Sequence, residues 1–189
     1  IRPWAAEAAI ELCHADINHG MHGSFSRVVG DVAGLVSALH AALPEPSPSW
    51  PDNAPQAARH ALKTAFAGPE HWGPHAVFRT LQATVPEGAV ITVDSGAHRI
   101  LLSQMWQCAR PHELLQSTAF CTMGVAVPLA IGHAIAAPDT PVVAVVGDAG
   151  FDMSPGDLAT LRDTGLPVTI IVLVDDSLAL IEKKQKGMQ

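Results

Sequence analysis

Cysteine is scarce in this chain, and Cys13, Cys108 and Cys121 form an odd set with no Cys-x-x-Cys spacing. That argues against a disulfide framework or a zinc site and points to a reducing cytoplasm. Charge is also sparse. Eleven lysines and arginines against eighteen acids leave a net charge of −7, which excludes nucleic acid as the expected partner. The nearest approach to a basic cluster is Lys183, Lys184 and Lys186. No apolar run reaches the ~20 residues that a membrane span requires, so no membrane partner is expected. The first residues also lack the charged-then-apolar order of a secretory signal.

Apolar residues are plentiful, at 48% of 189. A chain of this length can bury roughly 70% of its unfolded surface, enough for one domain and an appendage. The apolar excess suggests surface covered by partner subunits. Val142–Val146 and Val168–Val174 are short, β-branched and apolar, the pattern of parallel strands buried on both faces. Between them Pro155–Thr164 reads as a helix, with Ser154 as N-cap, Pro155 in the first turn and Gly165 at the end. Val90–Asp94 opens the principal sheet, preceded by helices over Ala57–Phe66 and Pro74–Val85. Helix and strand then alternate. The predicted fold class is α/β: a three-layer α/β/α doubly wound domain with a mainly parallel sheet, preceded by a fragment of a second α/β domain. In that fragment Ala9–Ile17 alternates like a strand, and Val32–Leu43 has helical periodicity with Asp31 as N-cap. The proline-rich run Pro44–Pro55 between the two parts is expected to hold neither helix nor strand.

Each of the two apolar runs delivers an aspartate at its carboxyl end, Asp148 in Gly147-Asp148-Ala149 and Asp175 in Asp175-Asp176-Ser177, 27 positions apart. Ligands of open α/β sheets bind beyond the carboxyl ends of the strands, so the two carboxylates are placed to meet there. A hard cation such as Mg²⁺, bridging to phosphate, suits such oxygen ligands. The ordinary reading of Asp148 is a turn residue. Ser95-Gly96-Ala97-His98, also after a strand, can bring amides and an imidazole to phosphate oxygens. The other histidines, His14, His19 and His22 among them, read as solvent-facing.

Taken together, these stretches resemble the thiamine-diphosphate-dependent enzymes, and most of all the acetolactate-synthase-like branch. The family signature is Gly-Asp-Gly followed some 27 positions later by Asn-Asn. Asp94–His98, Cys121–Gly124 with Pro128–Gly132, and Asp157–Leu161 fall in the family's order. The likeness covers Pro74–Gln189 strongly and Ile10–Leu43 more weakly. It implies a tail of the family's middle domain over residues 1–43, a proline-rich linker over 44–73 and the diphosphate-binding domain over 74–189. From the first residue, Ile1, and the stop at Gln189, the chain is expected to be part of a longer polypeptide.

By the same resemblance thiamine diphosphate is the cofactor, with Asp148, Asp175 and the Ser177 carbonyl as ligands of Mg²⁺. Gly96, Ala97, His98, Gly147, Ala149 and Gly150 surround the diphosphate, Met123 packs beneath the cofactor, and Cys121 lines the pyrimidine pocket. No catalytic residue is expected in this chain, because the family's activating glutamate lies on a pyrimidine-binding domain of another subunit. A homodimer or tetramer acting on a 2-keto acid is implied; FAD is left open. Two departures stand out. Asp175 replaces asparagine, adding charge that tightens Mg²⁺ and repels diphosphate, and Ala149 replaces glycine, tolerable where its φ is negative. The reaction implied is decarboxylation with carboligation. Its alternatives are a decarboxylase or lyase of the same family and a non-catalytic binding or regulatory homologue. A phosphohydrolase with Asp148 as nucleophile would commonly carry a second aspartate where Gly150 stands.

Overall fold

The computed structural model describes residues 10–16, 26–44 and 50–188, and the chain divides into two compact units, residues 1–52 and 53–189. His19 and His22 lie outside the described residues. In the first unit β1 (Ile10–Cys13) and β2 (Ser26–Val29) pair in parallel, with Glu11 opposite Arg27. The Arg27 guanidinium donates to Glu11 at 2.7 Å and also pairs with Asp16, tying the two strands from the side. α1 (Val32–Ala42) starts at Asp31, whose carboxylate accepts from Gly34 N at 2.8 Å, an N-cap as its position predicts. The strand expected over Ala9–Ile17 ends at Cys13, and residues 14 and 15 bend away.

The second unit begins inside the proline-rich run. A 3₁₀ turn at Pro51–Asn53 leads into α2 (Ala54–Ala65), so the run expected to hold no helix holds the start of one. Pro55 lies in the first turn of α2, where its missing N–H has no intrahelical partner to lose. α3 (Pro74–Thr84), β3 (Val90–Val93), α4 (Ala97–Met105), β4 (Leu114–Gln116), α5 (Ala126–Ala136), β5 (Val142–Gly147), α6 (Asp148–Phe151), α7 (Asp157–Thr164), β6 (Val168–Leu173) and α8 (Ala179–Lys186) follow.

Four parallel strands form a sheet in the order β4-β3-β5-β6. β5 shows why the unit has three layers. Val142, Ala144 and Val146 face α5, packing on Ala126, Val127, Ala130, Ile131 and Ala134, with Leu158 and Leu161 of α7 at the margin. Val143 and Val145 face the other way, onto Phe78 and Leu81 of α3 and Leu102 of α4. Both faces are covered, so every residue from Val142 to Val146 is buried, and a continuous apolar run replaces polar alternation. The fold class is therefore the one the sequence predicts: α/β with helices on both faces of a parallel sheet.

The start of α7 differs from expectation. Its N-cap is Gly156 and Ser154 lies outside it, because residues 148–151 form the separate short helix α6. The buried Ser154 hydroxyl donates to the carbonyls of Gly150 and Phe151, closing the end of α6 instead. Gly165 ends α7 in the left-handed conformation, as its position predicts.

Candidate functional site

The strand order places a topological switch between β3 and β5. The chain leaves β3 toward β4 on one side and leaves β5 toward β6 on the other, so the two strand-end loops diverge and open a crevice. A cleft of about 920 Å³ lies there. Gly96, Ala97, His98, Cys121, Met123, Gly147, Asp148, Ala149, Gly150, Asp175 and Ser177 all line it, so the structure brings every sequence-predicted site residue to one place.

Asp148 joins two strand ends. Its Oδ1 accepts from Ala149 N at 2.8 Å and its Oδ2 from Asp176 N at 3.1 Å, across the β5–β6 boundary. These backbone donors, Ala149 first, hold the carboxyl below its ordinary range. Asp175 Oδ1 accepts from Ser177 N at 3.1 Å, and the Ser177 hydroxyl is turned to Glu182 at 2.8 Å. Ala149 stands in α6 and is absent from the left-handed positions, so the condition for an alanine there is met. Among the described residues no three histidine, cysteine, aspartate or glutamate side chains group at metal-binding spacing. The predicted set comprises two carboxylates and a main-chain oxygen.

His98 stands in a slot between two glycines. A Cβ at Gly96 would meet its ring at 2.6 Å and one at Gly147 at 3.3 Å. Gly96, expected to let backbone approach phosphate, here makes room for the imidazole. Burial holds the His98 pKa below its ordinary value, opposed by the charges of Asp94 and Asp175. Its Nε2 and the Ser95 hydroxyl are buried without a protein partner. Both residues line the cleft. Orphaned polar atoms beside a cavity fit an anionic ligand with oxygen acceptors.

The loop before α5 supplies the remaining wall. Cys121 has φ of 51° and Gly124 of 76°. Arg99 donates to Ser117 O at 2.8 Å and to Cys121 Sγ at 3.4 Å. Sequence reasoning missed Asp94, which has no exposed surface and accepts from Gly124 N and Val125 N, each at 2.9 Å. The signal was present, a carboxylate ending an apolar strand. It also missed the apolar wall of Trp72, Val77, Leu101 and Ile181, which gathers only in three dimensions. His133, read as solvent-facing, has a buried Nε2, since it lies on a helix packed against the sheet, and His75 is half-buried beside Gly68. His14 is exposed.

Residues 94–189, just over half the chain, match the family model described as thiamine pyrophosphate enzyme, C-terminal TPP binding domain. The chain belongs to the thiamine pyrophosphate enzyme family. Its matched region starts at Asp94, the residue just after β3, and takes in every predicted site residue. Within the family it is similar to the acetolactate synthase isozyme 1 large subunit of Escherichia coli, 34% identical over 115 residues, 61% of this chain and 20% of that protein. The isozyme 2 large subunit of the same organism is 27% identical over 178 residues, 93% of this chain and 32% of that protein. The acetolactate synthase large subunit of Lactococcus lactis is 32% identical over 99 residues, 52% of this chain and 17% of that protein. The chain thus spans between about a sixth and a third of the length of these relatives. Among the described residues no helix is long and apolar enough to cross a membrane.

Proposed function

We propose that this chain supplies the diphosphate-binding half of an acetolactate-synthase-like active site, which decarboxylates a 2-keto acid and joins the product to a second carbonyl compound. The observation that carries the reading is the convergence of all eleven predicted residues on one cleft at the switch point of a thiamine pyrophosphate family fold. Bound thiamine diphosphate would supply a nucleophilic carbon and an electron sink for decarboxylation.

The residues here have the complementary tasks of holding and orienting. Asp148 and Asp175, with the Ser177 carbonyl, offer hard oxygen donors to Mg²⁺. The amides opening α4 at Gly96–Ala97, whose N-cap makes no side-chain hydrogen bond, offer donors to diphosphate oxygens. His98 Nε2 and the Ser95 hydroxyl find there the partners they lack within the protein. Met123 packs beneath the cofactor and Cys121 lines the pyrimidine side. The activating glutamate comes from a pyrimidine-binding domain of another subunit, in a homodimer or tetramer working in the cytoplasm.

The decisive experiment is a thermal melt of the purified polypeptide with thiamine diphosphate and Mg²⁺ together, with each alone, and with chelator. Ligand at 100 times its dissociation constant adds about 2.7 kcal/mol, or roughly 5–10 °C for a domain of this size. The reading requires a rise that needs both components, disappears with chelator and is lost in Asp148→Ala. No rise would sink it. Asp175, which adds a carboxylate beside the diphosphate, favours one rival, a binding subunit without turnover. A chain that binds cofactor, within its full assembly, yet leaves 2-keto acids unchanged would decide for that rival.

A further inference from the structure

Two carboxylates are buried among the described residues, and they are handled differently. Glu113 is met by the Arg110 guanidinium at 3.1 Å and by Ala109 N at 2.6 Å. Asp94, wholly buried, is met by backbone, one amide to each oxygen: Gly124 N to Oδ2 and Val125 N to Oδ1. These amides belong to the N-cap of α5 and the residue before it, so the positive end of that helix faces an internal carboxylate.

Gly150 closes off the same Oδ2 from a second direction, leaving no space for a Cβ. A Cβ at Gly150 would lie 2.0 Å from it, and one at Gly124 would lie 3.4 Å from the Gly150 carbonyl. Asp94 therefore holds the loop before α5 by two hydrogen bonds and stands against Gly150 of α6 with no room for a side chain between them. Met123 precedes Gly124 by one residue, and Asp148 precedes Gly150 by two. The strand itself does not depend on the side chain, since Asp94 N continues the ladder to Val145 O at 3.0 Å.

We propose that Asp94 is a positioning residue that sets the separation of Met123 and Asp148 across the cleft, and thereby sets affinity for thiamine diphosphate. The inference rests on the reading of the cleft as a thiamine diphosphate site. Asn at this position keeps one acceptor and turns an NH₂ toward the other amide, so one charge-assisted hydrogen bond is lost and the Met123 loop is released. Ala at Gly150 leaves every hydrogen-bonding group in place but forces the carboxylate and α6 apart.

The test titrates the intact purified protein with thiamine diphosphate at saturating Mg²⁺, followed by tryptophan fluorescence, since Trp72 lines the cleft. Val142→Ala is the control for plain destabilisation. Val142 is buried at the amino end of β5, the end of the strand remote from the cleft. Asp94→Asn and Gly150→Ala, each folded by circular dichroism, are expected to raise the dissociation constant roughly tenfold or more. Val142→Ala should melt lower while binding within about twofold of wild type. Folded Asp94→Asn that binds like wild type overturns the proposal, as does Val142→Ala that weakens binding equally.

Should neither cleft variant fold, amide hydrogen exchange on the wild-type protein without cofactor decides. Gly124 and Val125 amides protected like those of β3 support the positioning role, and exchange at open-loop rates overturns it. Wild-type protein that fails to bind thiamine diphosphate removes the reading of the cleft itself, a failure distinct from equal binding by wild type and variant.

Discussion

Replacing Cys121 by glycine should make the protein more stable. Cys121 has φ of 51°, in the left-handed region. That conformation costs a residue with a Cβ about 1–2 kcal/mol. Glycine removes the strain and gives back about 0.5–1 kcal/mol through its greater freedom in the unfolded chain. The lost contact with Arg99 is minor, because that guanidinium keeps the Ser117 carbonyl at 2.8 Å and sulfur is a weak acceptor. The net gain is about 0.5–1 kcal/mol, or roughly 1–4 °C for a domain of this size. Cys121→Ala keeps the Cβ and the strain, so it should stay within about 0.5 kcal/mol of wild type. Gly124→Ala reverses the experiment. Its φ is 76° and the new Cβ would lie 3.0 Å from Met153 Cβ. Backbone strain and crowding together cost about 2–3 kcal/mol, a fall of roughly 4–12 °C. Calorimetric melts of the four proteins at one pH give the answer. If Cys121→Gly melts below Cys121→Ala, or Gly124→Ala melts with wild type, the argument from backbone conformation is wrong.

The remaining predictions follow from the site and its supports. Burial lowers the His98 pKa below 6.5, so protonation favours the unfolded chain; its stabilising contribution is complete above that pH and is lost as pH falls below it. Melts of wild type and His98→Gln should therefore diverge below about pH 6.5, whereas the lowered Asp148 acts only below its ordinary 3.8; parallel pH profiles would count against the first half. Asp175→Asn should loosen Mg²⁺ and tighten thiamine diphosphate, each by roughly fivefold, the worth of one exposed charge near contact; calorimetric titration of each ligand with the other held saturating reads the opposite signs. Thr92→Val removes the donor to Ala126 O and should cost about 1 kcal/mol, seen as a fall of roughly 2–4 °C in the melt.

The buried strands were legible because both faces of the sheet are covered, which leaves runs such as Val142–Val146 without polar interruption. The aspartates at their ends were legible for the same reason, since each breaks an apolar run. Ser154 was misplaced because a serine before proline looks like a helix start, and nothing in the sequence distinguishes a hydroxyl that serves the next helix from one that closes the last. The role of Asp94 was hidden for a different reason. Its partners are amides thirty positions away, and an amide carries no residue identity to search for. Trp72 and Ile181 were hidden because their meeting in one wall depends on how loops and α8 return to the cleft.

The slot that holds His98 ties three positions into one evolutionary unit. While the imidazole stays, a Cβ at Gly96 must displace it, and one at Gly147, 3.3 Å from the ring, needs it to give way slightly. A lineage that traded the histidine for a smaller residue would release both glycines to drift. Substitutions at these three sites, although Gly147 lies far from the other two in the chain, should therefore be inherited together, with the histidine changing first.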